Sequence, residues 1–427
     1  MKEKIVSKEF LVPFSIITIL FVLWGFANDI TNPMVAAFKS VMEISNAKAS
    51  LVQFAFYGGY GSMAIPAAIF ARKYSYKKGV LLGLILYAIG ALMFIPAAHY
   101  EVFGYFLISL YVLTFGLAFL ETTASPYILS MGDEATATRR LNLAQSFNPL
   151  GSLAGMFVAS NLILSYLRSD AKNASGELLY ETMTSAEKAV VKTHDLGIIS
   201  KPYIILGLVV LVMFFVILFM KMPDRQVRGE KLDIGGSFKR LIKNQKYREG
   251  VIAQIFYMAT QIMCWTFIIQ YAENLGFDKK TAQHFNILAM ALFGGFRFLS
   301  TFIMKYINPR KLLMIFAICG VFTCCGVIFI NGILGLYCLV ALSAFMSLMF
   351  PTIYGITLHG LGEDATLGAS GLVMALVGGA LLPPLQGAII DMGTIGWLPA
   401  VNVSFVLPLI CFFAISIYGY RAYKIFN

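Results

Sequence analysis

This chain is poor in charge. Only 13% of its 427 residues are charged, against about 25% in soluble domains, while hydrophobic residues reach 59% and the mean hydropathy is +0.77. An ordinary water-soluble domain is excluded. Cysteine is scarce as well: Cys264, Cys319, Cys324, Cys325, Cys338 and Cys411 all fall in apolar runs, with no CxxC or Cys/His ligand spacing. Metal and redox chemistry therefore find no support, and the thiols read as small packing residues. No phosphate-binding Walker sequence is present, which speaks against ATP hydrolysis by this polypeptide.

What the chain has instead is long apolar runs. About 20 apolar residues in a helix cross the roughly 30 Å of bilayer hydrocarbon, where backbone groups must be paired within the helix. Such runs lie near residues 10–37, 49–71, 79–98, 102–131, 140–166, 201–220, 248–273, 281–304, 311–330, 333–358, 366–391 and 398–420. The first is too long, and carries too many polar residues at its end, for a cleaved signal peptide. It is expected to be the first span of an all-α membrane protein embedded in a lipid bilayer.

The formal charge of +11 is a matter of sidedness. Lys and Arg concentrate in the N-terminus, the even-numbered connections and the C-terminus, which the positive-inside rule places in the cytoplasm. That pattern argues against a nucleic-acid footprint. The longest basic connection, KMPDRQVRGEKLDIGGSFKRLIKNQKY at 221–247, divides the spans six and six. It predicts one bundle over 1–220, a cytoplasmic linker over 221–247 and a second bundle over 248–427. Segment 167–200 is expected outside, and its Asn173-Ala-Ser sequon carries no weight without a sign of a secretory route. Two short matches six spans apart suggest a duplicated six-helix unit. Trp24-Gly-Phe-Ala-Asn-Asp29 answers Trp265-Thr-Phe-Ile-Ile-Gln270, and Tyr57-Gly-Gly-Tyr60 answers Phe293-Gly-Gly-Phe296.

Two acids, Asp29 and Glu121, lie inside apolar runs. A carboxylate at membrane depth costs at least ~2.5 kcal/mol on insertion scales and usually faces an internal cavity with a part in proton or substrate handling. These are the candidate proton-coupling groups. Asn28, Asn32, Gln145, Asn148, Gln261 and Gln270 add directional hydrogen bonding, and Trp24 and Trp265 add flat faces. A neutral sugar needs that combination for its hydroxyls and its C–H faces. Gln145 and Asn148 are three apart, Gln261 and Trp265 four, so each pair shares a helix face.

Each residue has an ordinary competing role. A buried amide also bonds a neighbouring helix, as Asn286 would, and an aromatic also anchors at the interface. Trp397 reads as such a belt residue and Arg297 as a structural cation. His284, His359, Glu363 and Asp364 read as solvated loop or helix-end residues. Gly151 and Gly155, and Gly378-Gly379 ahead of Pro383-Pro384, suit close packing and local bending alike.

The runs FVLWGFANDI, FARKYSYKKG, FLETTASPYI, RLNLAQSFNPLGS, QIMCWTFIIQYA and SAFMSLMFPTIYG resemble the fucose–galactose–glucose:proton symporters of the major facilitator superfamily, from about Pro13 to the last span. The resemblance implies that Glu121 takes part in proton coupling, that Gln145 and Asn148 face the central cavity, and that Trp24 and Trp265 lie near the sugar. Two positions depart from the family pattern. Asn32 stands where the family has a first-span aspartate, with Asp29 three residues earlier on the same expected helix face. Phe350 replaces a tenth-span tyrosine and removes a hydroxyl.

Residues and resemblance together predict twelve transmembrane helices in two six-helix halves of the major facilitator fold. The expected activity is proton-coupled symport of a monosaccharide, L-fucose or a related hexose, by alternating access. The protein is expected to be a monomer in a bacterial inner membrane, with no cofactor, metal or catalytic residue. A sodium-coupled or passive hexose transporter stays open at this point, as does a drug:proton antiporter, which would want a greasier cavity with fewer amides.

Overall fold

The structure, a computed structural model of the chain, describes residues 6, 8–129, 131–132, 143–145, 147–171, 173, 178–220, 234–304, 306–361 and 364–425. Among them, eleven helices are long and apolar enough to cross a membrane. They follow the apolar runs, and Lys279–Ile303, of 25 residues, fills the place of the remaining expected span. The protein is a helical, multi-pass membrane protein.

Several spans that read as single helices are broken. The first ends at Thr31 and resumes at Met34, because Pro33 has no N–H to give to the ladder. The seventh divides at Phe267 (φ −96°, ψ 7°) into Gln245–Thr266 and Ile268–Asn274. The tenth divides into Ile333–Met346 and Met349–Leu358. Asn148–Val158 loosens and then tightens, through a π turn at Ala159–Ile163 and a 3-10 turn at Leu164–Tyr166. Breaks at membrane depth persist where neighbouring protein or a polar cavity takes up the freed backbone groups.

Helix Ser185–Phe219 begins well before the apolar run expected at 201–220. A capping box at Thr184 and Glu187 satisfies the first backbone N–H groups, so the helix starts in polar sequence well before its apolar stretch. Near its start Asp195 is fully buried, accepting the N–H groups of Arg168 and Ser169 at 3.0 and 2.9 Å.

Contacts divide the chain into two compact units. One comprises Met1–Thr31, Gly59–Ala159 and Tyr166–Leu232. In it a Cβ at Gly151 would stand 1.9 Å from the Val22 carbonyl oxygen, and one at Gly155 would stand 2.6 Å from that of Phe26. Helices Leu11–Thr31 and Asn148–Val158 thus meet backbone to backbone, and this glycine pair serves packing.

The other unit comprises Asn32–Gly58, Ser160–Ser165 and Asp233–Asn427. Here Gly378 admits the Ile255 carbonyl, 2.0 Å from where its Cβ would be. Arg421 forks onto Glu249 with two bonds of 2.8 Å. Asp391, just past helix Gly378–Ile390, accepts the backbone N–H groups of Asn46 and Ala47 at 2.9 Å each and the Asn46 side-chain amide at 2.7 Å. A short antiparallel hairpin pairs Thr394 with Pro399 and Ile395 with Leu398, its turn made at Gly396 (φ +63°). Of the glycine pairs that suggested a repeat, Gly59 abuts Thr114 in the first unit, whereas Gly294 and Gly295 face open space.

Candidate functional site

The first unit holds Glu121, half-buried as a residue. Helices Leu11–Thr31 and Phe103–Leu129 bring Leu20, Phe21, Trp24, Leu120, Glu121 and Ala124 around a cavity of about 10 Å³, room for one water molecule. Glu121 Oε2 is buried there without a hydrogen-bond partner. An uncompensated carboxylate is costly in such apolar surroundings. The oxygen is thus placed to carry a proton or to accept from a ligand hydroxyl.

Trp24 is fixed beside this acid. Its Nε1 donates to Tyr60 Oη at 2.6 Å, and its ring centroid lies 6.0 Å from that of Phe21. Two side chains grip the backbone at the same level: Tyr87 Oη donates to the Leu23 carbonyl at 3.0 Å, and Asn148 Nδ2 donates to the Phe21 carbonyl at 3.0 Å. The Asn148 amide group therefore holds the helix that carries Trp24. Gln145 is half-buried just before helix Asn148–Val158. Asn28 is half-buried and Asp29 only 2% exposed, and both are engaged by neighbouring groups. Asn32 lies past the end of their helix, so the expected shared face of Asp29 and Asn32 does not belong to one continuous helix.

A separate polar cluster occupies the second unit. Asn32 is fully buried and accepts from Gln53 Nε2 at 3.1 Å, and the same nitrogen donates to Thr266 Oγ1 at 3.0 Å. One amide thus ties the break at Asn32–Pro33 to the end of helix Gln245–Thr266. Trp265 donates to Ser343 Oγ at 3.0 Å, meets Phe293 edge-on at 5.1 Å, and gives its carbonyl to Asn286 Nδ2 at 3.0 Å. Gln261 lies one turn before it, nearly buried. Gln270 is buried with neither amide atom partnered. The Arg297 guanidinium stands 5.8 Å over the Phe293 ring, which makes it a support behind Trp265.

The remaining residues that stood out in the sequence lie away from both clusters: His284 and His359 are exposed, and Trp397 is 75% exposed at the hairpin. Asp364, expected to be merely solvated, takes a forked bond from Arg240 at 2.7 and 2.8 Å. That guanidinium, helped by Ser237, lowers its pKa to about 2. Glu363 lies outside the described residues. Among the described residues, no group of three His, Cys, Asp or Glu side chains is placed to hold a metal ion.

Reading residues singly missed Tyr60, Gln53 and Ser343. Gln53 offered a signal, being an amide inside the second apolar run; Tyr60 stood out only as part of a repeat and Ser343 not at all, since their importance comes from the indoles they fix.

A bundle of membrane helices with an acid whose buried carboxyl oxygen has no partner, fixed indoles and idle amides defines a helical membrane transporter. The chain belongs to the Major Facilitator Superfamily, which it matches over residues 17–383. It is 63% identical over 426 residues to the L-fucose-proton symporter of Haemophilus influenzae, covering 100% of both chains. It is 32% identical to that of Escherichia coli, over 97% of this chain and 93% of the other. A crystal structure of the Escherichia coli fucose:proton symporter superposes with a TM-score of 0.73 at 30% identity, over 97% of this chain and 99% of that one.

Proposed function

We propose that the protein is a proton-coupled symporter of L-fucose or a closely related hexose, working by alternating access between two six-helix halves joined by the 221–247 linker. The observation that carries this reading is Glu121: a buried carboxyl oxygen without a partner, in a cavity walled by Trp24. Likeness to the two L-fucose-proton symporters supports it.

Protonation of Glu121 removes a charge that burial disfavours, and the sugar follows. Trp24, held by Tyr60, offers an apolar face to the pyranose, while Gln145 and Asn28 are within the same unit to meet hydroxyls. Trp265, Gln261 and Gln270 supply the matching aromatic and amide set of the second unit. Asp29 is the second coupling acid, and Asn148 acts by positioning Trp24 as well as by its remaining hydrogen-bonding capacity. The chain is monomeric, sits in a bacterial inner membrane with both termini cytoplasmic, and performs no covalent chemistry.

Uptake of labelled L-fucose into proteoliposomes under an imposed gradient tests the proposal. Accumulation driven by an inward proton gradient, and competed by few other hexoses, is expected. Accumulation driven by sodium alone, equilibration without accumulation, or no L-fucose uptake at all would contradict it.

A further inference from the structure

Much of helix Gln245–Thr266 is occupied by packing. Phe256, Ala259 and Met263 cluster with Cys411, and Ile255 presses its carbonyl against Gly378. The opposite side begins at Gly250, which abuts Thr357, and goes on through Gln254, Tyr257, Gln261 and Trp265, whose spacings of three, four and four keep them in one stripe. The proposed sugar contacts use only the later two. Gln254 is fully buried, yet neither its Oε1 nor its Nε2 has a hydrogen-bond partner; Tyr257 is 1% exposed and its hydroxyl has none either. Beside Tyr257 stands the Phe350 ring, 6.2 Å away between centroids.

Buried polar groups in native proteins are nearly always satisfied, so idle ones mark places where something else supplies the bonds. Three idle atoms on one helix face, next to an aromatic ring, form an arrangement of donors and acceptors suited to hydroxyls on a small ring. Gln254 and Trp265 are eleven residues apart, about 16 Å along the helix axis, further than one pyranose reaches. The two ends of the stripe therefore serve successive positions.

We infer that Gln254 and Tyr257, with Phe350 as an apolar backing, form a second hydroxyl-recognising subsite that a monosaccharide occupies in transit, separate from its position at Gln261 and Trp265. The inference rests on the proposed sugar transport and adds a stage to it. Gln254→Leu and Tyr257→Phe each remove polar atoms while keeping bulk, and Gln254→Met repeats the first without a branched side chain. In proteoliposomes, L-fucose counterflow should fall about tenfold in each variant, as for loss of a well-made hydrogen bond along the route. The equilibrium Kd for L-fucose should stay within about twofold of wild type, because the Trp265 position is intact. Gln254→Leu should also raise Tm, since it replaces an unpaired buried amide by an apolar group. Wild-type counterflow in all three variants, or a lowered Tm with unchanged transport, overturns the subsite and leaves the symport reading standing. A wild-type protein that moves no L-fucose overturns both.

Discussion

The indole N–H of Trp24 is held by the Tyr60 hydroxyl at 2.6 Å, and the ring so oriented walls the cavity of Glu121. One hydrogen bond thus sets the plane of the aromatic face nearest the acid. Tyr60→Phe removes the acceptor and leaves a part-buried donor idle, which costs about 1–3 kcal/mol. The KM for L-fucose should rise about five- to tenfold with kcat within about twofold, on the same physical grounds. Proteoliposome uptake kinetics check this, and an unchanged KM would show that Tyr60 does not position Trp24.

Asp29 is nearly buried in the first helix, while Asn32 lies beyond its end and is bonded to Gln53. Asp29→Asn should therefore abolish accumulation driven by a proton gradient, and adding Asn32→Asp should not restore it. Normal accumulation in the single variant, or recovery in the double one, contradicts a coupling role for Asp29.

Packing at Gly151 leaves no room for a side chain, whereas Gly197 has nothing within 4 Å. Gly151→Ala should lower Tm and folded yield, because the Val22 carbonyl must move. Gly197→Ala should be neutral or stabilising, by up to about 1 kcal/mol from helix propensity. Thermal unfolding of the two purified variants makes the comparison, and equal Tm values would show that the close helix approach contributes nothing.

Arg240 of helix Ile234–Lys243 is bonded to Asp364, whose pKa is about 2. A carboxylate whose folded pKa is depressed stabilises above its unfolded value, near 3.9, and that contribution disappears as pH falls through about 4 to 2. Amide hydrogen exchange over 234–243 should thus be protected alike from pH 8 to 5, after correction for intrinsic rates, and lose protection below about pH 4. Asp364→Asn should show the lower protection throughout; the pair lies at the surface, so the difference is small. Protection that stays unchanged to pH 2 would refute the tie.

Much of this was legible in the sequence. The apolar runs marked the spans because hydrocarbon thickness fixes helix length, and Glu121 stood out because a carboxylate at that depth is rare. Helix breaks at Phe267 and between Met346 and Met349 were not legible, since backbone bending there depends on neighbours that take up the freed groups. The helical start at Ser185 was hidden by a hydropathy reading, which is blind to a capping box. Asn148 looked like a ligand group because its residue type and spacing fit one, and its bond to the Phe21 carbonyl is a tertiary contact that no spacing shows. Gln254 and Tyr257 were passed over because what sets them apart is the lack of any hydrogen-bond partner, which no sequence displays.

If Glu121 couples proton to sugar, the variant that separates the two is Glu121→Gln. The amide keeps the size and loses the titratable proton, so the variant should still exchange L-fucose across the membrane at equal concentrations. It should fail to accumulate the sugar under an inward proton gradient. The measurement is labelled L-fucose counterflow and gradient-driven uptake in the same proteoliposomes. Exchange without accumulation is expected; full concentrative uptake by the variant at neutral pH would show that Glu121 is not the coupling group.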